Sequence, residues 1–165
     1  MSLNYKCLLA QIFVVTLLSS NAYAGEQEVV QALSVRDSFQ GQANFQELED
    51  LAGGKEELIS VLLKYRRLET PPFVGIRSEQ LLLNYTDDQQ VVDALEQDVN
   101  ETQYFGLART VASKIDTISN KSARQKIAGA VLRRAQLEKR YESYGRMLKE
   151  SKDAGVQKLA REALK

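Results

Sequence analysis

Carboxylates are the most closely grouped reactive side chains in this sequence of 165 residues. They form three groups, Glu47/Glu49/Asp50, Glu56-Glu57 and Asp87-Asp88. Two carboxylates that face one substrate can serve as general acid and general base, as in glycoside hydrolases. The last two groups, however, stand where helices are predicted to begin, and acidic side chains there stabilise the helix dipole. The sequence also lacks tryptophan, which could form a platform for a sugar ring, so we interpret these two groups as helix starts.

Other catalytic groups are few, because the chain has no histidine and its one cysteine, Cys7, lies near the start. This inventory leaves no Ser–His or Cys–His nucleophile and no imidazole or zinc–thiolate metal site. Ser60 and Lys64 stand four residues apart, but no glycine-rich elbow presents the serine. No EF-hand, P-loop or dinucleotide-binding motif is present. We therefore predict a non-enzymatic protein with no catalytic, metal-binding or cofactor-binding residues, and keep a hydrolase that uses carboxylates alone as an alternative.

Arginine and aromatic side chains offer more for protein binding, since these residue types anchor many interfaces. Arginines flank the Pro71-Pro72 loop, and tyrosines recur in the later part of the chain. We expect Phe73 and Phe105 to fill seams between helices. The predicted protein-contact residues are Arg66, Arg67, Arg77, Tyr104, Tyr141 and Tyr144. Exposed side chains are favoured for the last four of these.

The first 24 residues have the three parts of a secretory signal peptide. Lys6 precedes an apolar run over residues 8–18, and Ala22 and Ala24 form a small-x-small cleavage signal before Gly25. The apolar run is shorter than the roughly 20 residues that span a bilayer, so we favour cleavage over a membrane anchor. After cleavage the chain would contain no cysteine, so its stability would depend on packing and not on disulfides. We take this to favour the bacterial periplasm or secretion from the cell. We expect no stable membrane insertion after cleavage.

Helical periodicity dominates the remaining residues, and no segment shows the alternation that is typical of strands. Asn44 is a predicted helix N-cap, Gly53-Gly54 end that helix, and Asp153 is the predicted N-cap of the closing helix. The sequence therefore predicts an all-α fold, as a single all-helical domain over 25–165 whose N-terminal helical cap is 26–52. The predicted helices cover 26–38, 45–52, 55–67, 73–85, 89–99, 102–116, 122–150 and the segment after Asp153.

The segment 122–150 allows two interpretations. It contains no proline and no Asn/Asp turn, and Gly129 and Gly145 are isolated. A lone glycine costs a helix only about 1 kcal/mol, so we favour one long helix. The alternative is two helices with a joint near residues 137–139.

Three helices share a local pattern in which glycine precedes a branched aliphatic residue, at Gly75, Gly106 and Gly155. Each of these helices follows another apolar helix across a short loop. The glycines are 31 and 49 residues apart, spacings that bracket the usual period of α-solenoids. This pattern indicates a repeat of helix pairs.

The closing segment resembles the second helix of HEAT-like repeats. The matching residues, in the pattern Asp-x-x-Val-x-x-x-Ala-x-x-Ala-Leu, are Asp153, Val156, Ala160, Ala163 and Leu164. Lys114 and Gln157 depart from the family's pattern. The resemblance implies a short right-handed α-solenoid of antiparallel helix pairs, with about three repeats over 55–165. An irregular helical bundle is the alternative.

The net charge of zero hides a gradient along the chain. Residues 25–60 carry eight acids and two bases, whereas 121–165 carry five acids and thirteen bases. Because acids interrupt the basic third, we favour a solvated helix face over a nucleic-acid site. Head-to-tail contact between acidic and basic ends stays open as a hypothesis.

These observations together predict an exported, non-enzymatic helical-repeat protein of the bacterial envelope. A helical stack leaves a concave face for a partner, so we expect it to bind another protein as an adaptor or scaffold. The alternative is a helical inhibitor or immunity-type protein that blocks an envelope or secreted enzyme. Neither the partner's identity nor the oligomeric state follows from the sequence.

Overall fold

A computed structural model describes residues 25–34, 45–68, 72–101 and 105–165. Regular structure in these ranges is helical throughout, without a strand, which confirms the predicted all-α class. The predicted signal peptide over residues 1–24 lies outside the described residues, as do the predicted cap Asn44 and the predicted contact Tyr104.

Nine α-helices lie in the described ranges. Helix α1 covers 25–34, and α2 to α9 cover Phe45–Ala52, Lys55–Tyr65, Pro72–Leu82, Gln89–Glu101, Phe105–Lys114, Lys121–Leu137, Glu142–Met147 and Ala154–Ala163. A short 3-10 segment at Ile115–Thr117 follows α6. Two others, Lys139–Tyr141 and Leu148–Glu150, stand directly before and directly after α8. Among the helices described, none combines the length and the apolar character needed to cross a membrane.

Local chemistry sets several helix ends where the sequence predicts them. Gly53 and Gly54 have φ angles of 92° and 144°, and the Gly54 amide donates to the Glu49 carbonyl at 2.8 Å, closing α2. Glycine adopts these angles without a steric penalty. At α9, Asp153 Oδ1 accepts hydrogen bonds from the amides of Gly155 and Val156 at 2.8 and 3.1 Å. The predicted C-terminal glycines of α2 and the predicted N-cap of α9 are therefore confirmed.

The predicted long helix over 122–150 is interrupted at Glu138, so the favoured single helix is wrong and the joint near 137–139 is confirmed. Glu138 has extended backbone angles, φ −133° and ψ 115°, between the end of α7 and a 3-10 turn. Helix α8 then packs back against α7. A Cβ atom at Gly145 would lie 3.0 Å from Ala135 Cβ, which shows how closely the two helices approach. Tertiary packing thus overrides the local helical preference.

The chain divides into two compact units, Met1–Val61 and Leu62–Lys165, with the division inside α3. In the first unit, the start of α1 lies close to the end of α2, because a Cβ atom at Gly25 would lie 2.7 Å from the Leu51 carbonyl oxygen. The buried apolar residues of the described part of this unit are Val29, Leu33, Leu48, Leu58, Ile59 and Val61.

The second unit consists of two rows of helices. Helix α6 contacts α4 and α8, while α7 contacts α5 and α9, so each helix packs against the next but one. We call these the α4/α6/α8 row and the α5/α7/α9 row. Consecutive helices from α4 to α8 also contact one another across the rows. The largest fully buried side chains here include Leu82, Leu95, Ile118, Ile127, Tyr141 and Leu148.

Candidate functional site

Two of the predicted contact residues, Arg66 and Arg67, follow directly after α3 and reach across to α5. Arg66 Nε donates to Asp98 Oδ2 at 2.6 Å, and Arg67 Nε donates to Asp98 Oδ1 at 2.5 Å. Arg67 Nη2 also pairs with Glu101 Oε2 at 3.1 Å. Arg66 Nη1 donates to the Leu63 carbonyl oxygen at 2.5 Å. Both arginines are therefore held by charged hydrogen bonds.

A glycine lets α4 approach the turn that carries these arginines. A Cβ atom at Gly75 would lie 2.6 Å from the Leu68 carbonyl oxygen and 3.1 Å from that of Arg66. Residue Glu79 follows four positions later, on the same face of α4 as Gly75. Glu79 is buried, and its carboxyl lies near enough to Asp98, Arg66 and Arg67 for their charges to shift its pKa. We call Arg66, Arg67, Glu79, Asp98 and Glu101 the arginine cluster.

Asp98 is the centre of the arginine cluster. Its side chain is fully buried, and each carboxylate oxygen accepts a hydrogen bond from a guanidinium group. Burying a carboxylate is costly unless it is paired, and this two-armed pairing offsets that cost. The hydrogen bond to Asp98 also raises the pKa of Arg67. Asp98 therefore joins the end of α3 to α5.

Glu79 differs from Asp98 in its protonation. Only 5% of Glu79 is exposed, and burial raises the pKa of its carboxyl to about 8, helped by the negative charge of Asp98 and opposed by Arg66 and Arg67. A carboxyl with this pKa is mostly neutral at pH 7. At that pH the arginine cluster holds two cations and two anions.

The exposed part of the arginine cluster is an ion pair. The side chains of Arg67 and Glu101 are 46% and 54% exposed, whereas Arg66 is 19% exposed. Arg67 is thus the cation of the arginine cluster that a partner can reach most easily. It reaches the surface already paired, and a partner would have to compete with Glu101.

Comparisons of the sequence with family models, curated proteins and solved structures find no match. The HEAT-like resemblance therefore rests on the sequence pattern of the closing segment.

Three other predicted contacts are buried, so the expectation that their side chains are exposed is wrong. Arg77 is 8% exposed, with its guanidinium carbon 5.6 Å from the centre of the Phe73 ring. Tyr141 and Tyr144 are 1% and 7% exposed and make an edge-to-face contact, with ring centres 6.2 Å apart. The joint at Glu138 turns both tyrosines toward α7 instead of leaving them on a continuous helix.

Arginines fix Tyr141 in this buried position. The guanidinium carbons of Arg134 and Arg140 lie 4.9 and 5.1 Å from the centre of its ring, which are cation–π distances. Arg134 also donates to the Asn100 carbonyl oxygen at 2.9 Å. Tyr141 is therefore part of the contact that ties α7 and α8 to the end of α5.

Two side chains of the basic third pair with carboxylates on α5. Lys126 Nζ on α7 lies 2.5 Å from Asp93 Oδ1 and 3.1 Å from Glu96 Oε2 on α5, and Arg133 Nη2 lies 2.8 Å from Glu96 Oε1. Part of the charge gradient is thus neutralised between neighbouring helices.

The predicted carboxylate groups have different surroundings. Glu56 and Glu57 lie in the first turn of α3, and Asp88 accepts a hydrogen bond from the Gln90 amide at 2.7 Å, at the start of α5. Glu47 and Asp50 border an open groove in the first unit, together with Glu28, Gln46 and Leu51. Within the ranges that the structure covers, no three His, Cys, Asp or Glu residues are arranged to hold a metal ion.

Sequence reasoning missed Asp98 and Glu79. The signal for Asp98 is its position next to Val99 and three residues after Leu95, on the buried stripe of α5. A carboxylate on an apolar stripe requires a cation from another element. For Glu79 the sequence offered a weaker signal. It stands four residues after Gly75, and therefore on the same helix face.

Proposed function

We propose that this chain is an exported, non-enzymatic helical-repeat protein that binds another protein as an adaptor or scaffold in the bacterial envelope. The proposed export rests on the signal-like residues 1–24. The proposed binding role rests on the arrangement of helices in the second unit.

The observation that carries the proposal is the packing of each helix against the next but one. Helix pairs that stack on their neighbours produce this pattern in α-solenoids. In the proposed arrangement, α4–α5, α6–α7 and α8–α9 are three HEAT-like pairs, and α9 is the second helix of the last pair. The packing of each helix against the next but one favours a short solenoid over an irregular bundle, and its right-handed sense is what the HEAT-like resemblance implies.

The α4/α6/α8 row is the proposed partner side. Ile76 on α4 and Met147 on α8 are exposed large apolar residues of this row, while Leu137 at the end of α7 and Leu159 on α9 are those of the other row. On the other row, ion pairs of Lys126 and Arg133 join α5 to α7. Exposed apolar side chains contribute to binding more readily than charged ones that are already paired. Arg66, Arg67 and Tyr104 remain predicted contact residues.

The chemistry of the arginine cluster supports a non-enzymatic role. A carboxylate hydrolase needs one protonated acid and one free carboxylate. Glu79 meets the first requirement, but both oxygens of Asp98 already accept hydrogen bonds from arginines. Asp98 is therefore unsuited to act as base or nucleophile.

Capture of partners from a bacterial envelope extract tests this proposal. The bait is the purified protein, and the variant is the double substitution Ile76→Asp and Met147→Asp. Gln90→Asp, at an exposed position of α5, is the matched control. We expect a defined protein to be retained by wild type and by the control and lost with the double variant, measured by quantitative mass spectrometry.

Equal retention by all three baits would contradict the proposed partner side, and no retained protein would contradict the adaptor role. If the retained protein is an enzyme whose activity falls on binding, the inhibitor alternative is the correct one.

A further inference from the structure

Glu79 is a buried member of the arginine cluster, and both arginines of the cluster are bonded to other groups. The guanidinium groups of Arg66 and Arg67 bond Asp98, Glu101 and the Leu63 carbonyl. Neither arginine forms an ion pair with Glu79 in the part of the chain that the structure describes. A carboxyl in this position is stable as the neutral acid, because ionisation would leave a buried and unpaired charge.

The charged groups that act on Glu79 come from two directions. The negative charge of Asp98, on α5, raises the pKa of Glu79, and the positive charges of Arg66 and Arg67, in the turn after α3, lower it. Helix α6 also packs against α4, but no charged group of α6 acts on Glu79. The protonation of Glu79 therefore depends on these three residues and on its burial.

Ionisation of Glu79 changes the charge balance of the arginine cluster. With Glu79 neutral, Arg66 and Arg67 balance Asp98 and Glu101. With Glu79 ionised, three carboxylates share two guanidinium groups, and the two most buried carboxylates repel each other. The repulsion falls if α4 moves away from the turn, or if an arginine leaves Asp98 for Glu79.

We propose that Glu79 is a proton-controlled latch: as the neutral acid it lets α4 close on the turn that carries Arg66 and Arg67, and as the carboxylate it opens this joint and releases Arg67 from Asp98. The latch is a property of the chain itself and holds whether or not the proposed partner exists.

The pKa of about 8 at Glu79 places the transition just above neutral pH. From pH 6.5 to pH 9 the ratio of ionised to neutral Glu79 would rise from about 1:30 to about 10:1. Arg67 is already 46% exposed and paired with Glu101, so its release from Asp98 would change the exposed part of the arginine cluster. This change would occur on the alkaline side.

Hydrogen–deuterium exchange of the purified protein at pH 6.5 and pH 9, corrected for intrinsic rates, tests the latch. The variant is Glu79→Gln, which keeps the size and stays neutral. Glu162→Gln, at an exposed position of α9, is the control. In wild type and the control we expect exchange in α4 and the turn to rise about tenfold at pH 9, equivalent to about 1.4 kcal/mol in favour of opening. Glu79→Gln should show no such rise.

Equal protection of wild type at both pH values, or the same rise in Glu79→Gln, would overturn the latch. A second measurement on wild type covers the case in which Glu79→Gln does not fold. Carboxyl ¹³C chemical shifts of Glu79 should titrate on the alkaline side of neutrality. A midpoint in the usual range for glutamate, about 4.3, would equally overturn it.

Discussion

Ser151 donates a hydrogen bond from its hydroxyl to Asp116 Oδ1 at 2.5 Å, joining the segment after α6 to the start of α9 across 35 residues of sequence. The Lys152 amide donates to the other oxygen of Asp116 at 2.9 Å. Ser151 is buried, and its hydroxyl also accepts a hydrogen bond from the Asp153 amide at 3.1 Å. Asp116, which follows α6 of the α4/α6/α8 row, therefore holds the segment that leads into α9 of the other row.

Removing this bond should weaken the second unit. We expect Asp116→Ala to lower the free energy of unfolding by about 1–2 kcal/mol, because Ser151 loses its acceptor in a partly buried site. Urea denaturation measures the change, with Ser119→Ala at an exposed neighbouring position as control. In a double-mutant cycle with Ser151→Ala, the two substitutions should couple by about 1 kcal/mol. Strict additivity would show that the hydrogen bond contributes nothing.

The glycines of α4 and α6 should respond differently to alanine. Gly75→Ala places a Cβ atom 2.6 Å from the Leu68 carbonyl oxygen, so we expect a loss of about 1–3 kcal/mol in stability. Gly106 has open space at the same position, so Gly106→Ala should be neutral or stabilise by up to about 1 kcal/mol. Thermal melts of the two variants measure the contrast. Similar melting temperatures would mean that α4 does not approach the turn closely.

Ala160 tests the packing of the closing helix. Its side chain is fully buried on α9, and an unpaired carboxylate there should cost at least about 3 kcal/mol. We expect Ala160→Asp to lower the melting temperature sharply and to expose apolar surface to a fluorescent dye. Arg161→Asp introduces the same charge one residue later at an exposed position, and should change stability much less. An unchanged melting curve for Ala160→Asp would refute the packing of α9.

The raised pKa of Glu79 predicts how stability depends on pH. The native state holds this proton up to about pH 8, whereas an unfolded glutamate releases it near pH 4.3. The contribution of neutral Glu79 is therefore complete below about pH 4 and is lost as pH rises toward 8, by up to about 1.4 kcal/mol per pH unit. We expect the stability of Glu79→Gln relative to wild type to increase steadily from pH 5 up to pH 8.

Urea denaturation at pH 5, 6, 7, 8 and 9 measures this difference. Hydrogen bonds lower the pKa of Asp153, chiefly that from the Val156 amide, so the stability it contributes is lost only in more acidic solution, below about pH 4. Asp153 therefore does not interfere within this range. Parallel stability curves for wild type and Glu79→Gln would mean that Glu79 titrates normally.

Sequence reasoning succeeded where a feature depends on neighbours along the chain. The all-α class, the end of α2 at Gly53-Gly54 and the Asp153 cap each follow from residues within about one helical turn. Helical periodicity and capping act over this short range, so they can be recognised in the sequence.

The tertiary structure decided every feature that depends on a distant partner. Local preference favoured a continuous helix through Glu138, but packing of α8 on α7 breaks it and buries Tyr141 and Tyr144. Asp98 is stable in the interior only because Arg66 and Arg67 reach it from more than 30 residues away. The sequence by itself determined the class of element and several helix ends, whereas the burial of a charge or a ring depends on contacts that only folding creates.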